Sequence, residues 1–296
     1  MRRPGPGRAM AVLLVCLAVL TGAAPADEES PEREVYVPLP DFRAYRDVPE
    51  LTVEAVRFIR VRRDAHREAL VARTPGGWER VVVEGRSLAF YSQGRQPLRP
   101  GPDRHVIVQD WSGGAHCCFD YYVLHVHGEQ IRREAMIRAG DCSLRVADLD
   151  GDGAAELIAC DGRFAYAFDL PFAESPLLPV VYSFREAERA YRADNRRFPQ
   201  VFRYRIAQER RRLEQARRAG EDREARRAVL SILLHMLYAG RVTDGWCTFG
   251  REYRWADREA VWQEVVDGLR EPADPDDARV APIDLRYATA RPGRCR

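Results

Sequence analysis

The chain has no lysine: all 47 of its basic residues are arginine, set against 45 acids. We read this as a bias towards GC-rich codons and not as an arginine-based recognition surface. It has little net charge. Taking away Arg2, Arg3 and Arg8 with a leader moves the formal value from +2 to −1, which excludes a global basic field for nucleic acid. It has no long apolar run. Residues 10–20 are apolar but too few to span a bilayer, and nothing else comes close. The common catalytic signatures are also missing: no Gly-x-Ser-x-Gly elbow, no P-loop, no dinucleotide fingerprint and no His-Glu-x-x-His. No acidic pair is singled out for glycoside hydrolysis.

The basic start, the short apolar run and Ala24-Pro25-Ala26 together predict a signal peptide over 1–26, cleaved near Ala26. The alternative is a lipoprotein acylated at Cys16, but Leu14-Val15 precede that cysteine where small residues belong. Residues 27–50 predict an extended N-terminal segment. Residues 51–184 predict an antiparallel β domain, and 185–296 a smaller helical C-terminal domain. Within the β part, strands are expected at 53–61, 78–83, 88–91, 105–109, 119–126, 130–137, 143–147, 156–160, 164–170 and 178–184. Helices are expected at 185–197, 201–218, 224–239 and from an Asp257 cap to about 270, with the second a solvated charged helix.

Asp148, Asp150 and Asp152 stand at alternate positions, followed by Glu156, with Gly151 and Gly153 between them. Carboxylates this dense repel unless a cation sits among them. A set without His or Cys favours a hard ion, and calcium fits best. The Ala154 carbonyl and Glu156 would complete one structural site. An EF-hand would need Glu at the twelfth position, which is Ala159, and helices on both flanks. The flanks instead look like strands, so the loop is expected at a β-hairpin tip.

Six cysteines follow the leader: Cys117, Cys118, Cys142, Cys160, Cys247 and Cys295. An even number in an exported chain suggests disulfides, in any of fifteen full pairings. A hairpin tip near Asp152 makes facing positions sum to about 304, which sets Cys142 close to Cys160. Cys247 and Cys295 would then pair, leaving a vicinal Cys117–Cys118 bond. That bond would lock a turn; a catalytic Cys using His116, or a zinc site from His116, His125 and His127, needs geometry that the spacing does not supply.

Asp148 to Glu156 resembles the calcium loop of FG-GAP/VCBS-type (integrin-like) β-propeller blades. Together with Gly113-Gly114-Ala115-His116-Cys117-Cys118 upstream, and Leu237-Tyr238-Ala239-Gly240-Arg241 before Trp246, it resembles a group of exported bacterial proteins of unknown function. The likeness covers about 106–170 well and 225–269 loosely. It implies a propeller-like β domain, with the calcium-ligand roles on Asp148, Asp150, Asp152, Ala154 and Glu156. A full regular propeller would carry several such loops, and this chain has one. The expected function is non-catalytic binding of an envelope protein or a glycan in the periplasm or outside the cell. The alternatives are inhibition of a peptidoglycan hydrolase, or a hydrolase or thiol redox protein using His116, Cys117 and Cys118.

Overall fold

The computed structural model describes residues 48–91, 97–114, 117–271, 281–290 and 295, and of Cys117 only the backbone. The expected leader, Cys16, most of the expected N-terminal segment and His116 lie outside these residues. Among the described residues, twelve strands form three four-stranded antiparallel sheets, each a meander of sequence neighbours. The first holds β1 (Glu50–Val53), β2 (Val56–Arg62), β3 (Glu68–Arg73) and β4 (Glu79–Gly85). The second holds β5 (Leu88–Phe90), β6 (Arg104–Gly114), β7 (Cys117–His127) and β8 (Gln130–Gly140). The third holds β9 (Arg145–Ala147), β10 (Glu156–Asp161), β11 (Leu178–Arg185) and β12 (Ala190–Ala193).

Strand alternation explains how the sheets stack, because successive side chains leave opposite faces of a sheet. On β6 and β7, Val106, Val108, Tyr122, Leu124 and Val126 pack against Phe58, Leu70 and Val83 of the first sheet. Their neighbours Ile107, Tyr121 and Val123 turn the other way, into a core shared with the third sheet and the helices. The second sheet is therefore buried on both faces.

Among the described residues four α-helices follow: α1 (Gln200–Ala219), α2 (Asp222–Tyr238), α3 (Val242–Glu252) and α4 (Arg258–Arg270). From Ala228 to Tyr238 every residue of α2 is buried, so it is a central helix and not a one-sided one. The charged helix α1 is not solvated all round: Val201, Phe202, Ile206, Leu213 and Ala216 form a buried stripe. Trp246 lies against Trp262 with ring centroids 3.5 Å apart, and its indole N–H donates to the Ala288 carbonyl at 2.9 Å. Among the described residues, no helix is long and apolar enough to cross a membrane.

Three local expectations are corrected. Residues 185–197 are not helical: β12 pairs with β11 there, Tyr191 is buried, and a 3-10 turn follows at Asn195–Arg197. Residues 164–170 are not a strand: a turn leads into a 3-10 segment, Ala167–Asp169. Asp257 precedes α4 without capping it; its carboxylate instead accepts from Arg226 at 2.8 Å and from the Tyr253 hydroxyl at 3.0 Å.

His235 lies wholly inside the helical layer, and its Nδ1–H donates to the Ser231 carbonyl at 2.8 Å. Burial brings its pKa down to about 4. The folded protein holds it neutral while the unfolded chain takes up a proton below its ordinary value near 6.5. Stability from this group is therefore complete above that pH and falls away as pH drops from there towards 4, by about 3 kcal/mol. Urea melts across this range will show the loss, and His235→Leu will flatten that part of the profile.

Candidate metal centre

The acidic loop connects β9 and β10. Glu156 faces Ala147, Leu157 faces Val146 and Ile158 faces Arg145, so facing positions sum to 303. The loop wraps around its own carboxylates. Asp148 accepts from the Gly151 N–H at 2.8 Å and from the Gly153 N–H at 2.9 Å, while Asp152 accepts from Ala154 at 2.8 Å. Gly151 and Gly153 have φ of 77° and 85°, the left-handed region that a side chain strains. A Cβ at Gly153 would also meet Pro100 at 3.0 Å.

Asp148, Asp150 and Glu156 each place one carboxylate oxygen within 4.8 Å of the others. Two of these are exposed. Glu156 is 2% exposed and accepts from the Leu149 N–H at 2.8 Å. Burial pushes the Glu156 carboxyl up to about 7. The Leu149 N–H opposes that shift, and the charges of Asp150 and Asp152 add to it. Three carboxylate oxygens, one of them from a buried acid, match the chemistry of a hard divalent cation.

Not all of the expected ligand set converges. Asp152 turns towards Arg197, whose Nη2 lies 3.4 Å from Asp152 and 2.5 Å from Asp150. Arg197 stands just before α1, so the loop is tied to the helical layer through charge. Gln200 in the first turn of α1 adds a bond of 3.5 Å to the Leu149 carbonyl. Nothing local in the sequence marks Arg197 as a partner, since the two segments meet only through the fold.

Cys142 and Cys160 form a disulfide with Cα atoms 5.8 Å apart, beside the base of this hairpin. Cys247 and Cys295 form a second, with Cα atoms 5.3 Å apart, tying α3 to the chain end. Cys118 is also disulfide-bonded, so it offers no free thiol. The expected partner for it, Cys117, has its side chain outside the described residues.

His125 and His127 leave the same side of β7, and Asp103 lies between them. Its two carboxylate oxygens sit 3.0 Å from His125 Nε2 and 3.0 Å from His127 Nδ1. The aspartate thus serves as the hydrogen-bond partner of both rings. His125 is buried and His127 exposed. Behind them, buried Glu134 is held by both Arg99 nitrogens at 2.8 and 2.9 Å and by Arg132 at 2.8 Å.

The chain matches no family model, no curated protein and no solved structure.

The Cys142–Cys160 bridge closes a segment of 18 residues around the acidic loop. Replacing both cysteines with serine should lower unfolding free energy by about 3 kcal/mol, chiefly by freeing the unfolded chain. Denaturant melts of the double variant against the parent measure it.

Proposed function

We propose that this is an exported, calcium-binding, non-catalytic protein that holds a protein or glycan partner in the periplasm or outside the cell. The observation that carries the calcium part is the convergence of Asp148, Asp150 and Glu156 on the β9–β10 hairpin. Asp152 and the Ala154 carbonyl stand in the same loop and would join the set once the ion displaces Arg197, which holds both Asp150 and Asp152. One calcium would neutralise the buried Glu156 and fix the loop at the tip of this hairpin. Export is supported by the disulfides Cys142–Cys160 and Cys247–Cys295, which persist in oxidising compartments. The propeller-like part of the reading rests on sheet size. The four-stranded antiparallel sheet is the blade unit of propellers, and three such units are present.

Calorimetric titration of the protein with calcium should show heat, with a rise in Tm. At a hundredfold excess over Kd the gain is about 2.7 kcal/mol. Asp150→Asn should lose both signals. Absence of heat and of any Tm shift in the parent protein would sink the metal reading. Arg197→Ala separates the loop's internal counter-ion from the added one. It should lower Tm in chelator, because Asp150 and Asp152 lose their partner, and tighten calcium binding several-fold. Unchanged affinity would mean that Arg197 does not compete for those carboxylates.

A pull-down from an envelope extract, with and without chelator, tests the binding role. A specific partner whose capture weakens in chelator is the expected result.

A further inference from the structure

A cleft of about 540 Å³ opens where the ends of β7, β8 and β10 meet the loop after β10. That is within the usual range of small-ligand sites, about 300–1,000 Å³. Tyr166 and Leu177 line it. At 64% and 38% exposure, they are two of the five large apolar side chains left open to solvent among the described residues. Phe172 stands beside Tyr166, with ring centroids 5.6 Å apart.

The backbone that presents Tyr166 is strained. Tyr166, Phe168 and Asp169 have φ of 63°, 59° and 58°, and they account for three of the five non-glycine residues in the left-handed region among the described residues. Such conformations persist only where the surroundings over-determine them. Here the helical layer does so: the Phe168 N–H donates to Glu264 at 3.0 Å, and Arg226 donates to the Phe168 carbonyl at 2.9 Å. The Ser175 hydroxyl accepts from the Tyr166 N–H at 2.9 Å. Phe164 and Phe168 point inward and stack on each other, which leaves Tyr166 facing out.

One residue of the cleft wall also carries a buried donor without an acceptor. Arg163 lines it with a side chain only 9% exposed. Its Nε donates to Asp161 at 2.6 Å, and its Nη1 to the carbonyls of Gly268 at 3.2 Å and Glu271 at 2.8 Å. Its Nη2 makes no hydrogen bond. A buried polar atom left unpaired is costly and calls for a partner.

We propose that this cleft is a saccharide-binding site. The inference rests on the reading of the protein as a binding protein and names the class of its ligand. Charge decides the class. Asp120, Asp141, Asp161 and Glu271 line the cleft against Arg138 and Arg163. A simple anion meets four carboxylates, and a simple cation meets two guanidinium groups. A neutral hydroxyl-rich ring suits this mixed rim: a hydroxyl oxygen can accept from Arg163, while the C–H face packs on Tyr166. The strained turn is then the means of holding that ring outward.

The test uses the intact exported chain and three probes: chitotetraose, cellotetraose and maltotetraose, each titrated by calorimetry. At least one should bind with a Kd of about 1 mM or tighter. Tyr166→Gly is the decisive variant. Glycine adopts the left-handed backbone without penalty, so its Tm should equal or exceed that of the parent, while saccharide affinity falls about tenfold or more. No heat with any of the three at high-millimolar concentration overturns the proposal, as does full affinity in Tyr166→Gly. A partner captured equally from envelope extract by the parent and by Tyr166→Gly also overturns this site, yet leaves the binding-protein reading standing.

Discussion

Strand β10 sets the terms for this structure, because all six of its residues are buried and two of them are acids. A carboxylate taken out of water must be paired, hydrogen-bonded or neutralised. Glu156 opens the strand and Asp161 closes it, and the two solutions differ. Asp161 is met by Arg163 at 2.6 Å and by the Tyr238 hydroxyl at 2.7 Å, which binds the strand to α2. Glu156 has one backbone donor, a distant arginine and two like charges nearby. One end of β10 is thus a closed polar joint between layers. The other retains an unbalanced negative charge, and the hard-cation reading rests on that imbalance.

The joint at Asp161 also shapes the cleft. Arg163 spends its Nε and Nη1 on Asp161 and on two carbonyls at the end of α4, which fixes the guanidinium beside the opening. The Cys142–Cys160 bridge sits one residue before Asp161, so the same short strand carries a covalent clamp, a buried ion pair and a carboxylate for the loop. Loop and cleft stand at opposite ends of one rigid element. The stiffness of β10 holds each in place without the two sharing a residue.

Much of the β part was legible because its signal is local. The β-prone runs at 105–109, 119–126 and 130–137 and the Asp/Gly spacing of the acidic loop are set by neighbours within a few positions. The Cys142–Cys160 pairing followed from hairpin register, which is also local. Residues 164–170 misled for the same reason. Phe164, Tyr166 and Phe168 alternate with small residues as a strand does, but Phe164 and Phe168 stack together inside. Glu264 and Arg226 then take the backbone groups that a sheet ladder would use. Residues 185–197 are charged and read as a helix, yet the free edge of β11 offers ladder bonds, and burying Tyr191 favours the strand.

The sequence by itself determined the acidic loop and the hairpin that carries it. Both depend on residue type and on spacings of two to nine positions. Only the tertiary structure decided that Asp152 faces Arg197, that Asp103 stands between His125 and His127, and that Tyr166 stays in the open on a strained turn. Those arrangements pair groups from 22 to 45 residues apart, or hold a backbone that its own residues would not adopt. Local propensity carries no information about either. Packing of the third sheet against the helices supplies the contacts at Arg197 and Tyr166, while the pairing of β6 with β7 brings Asp103 beside the two histidines.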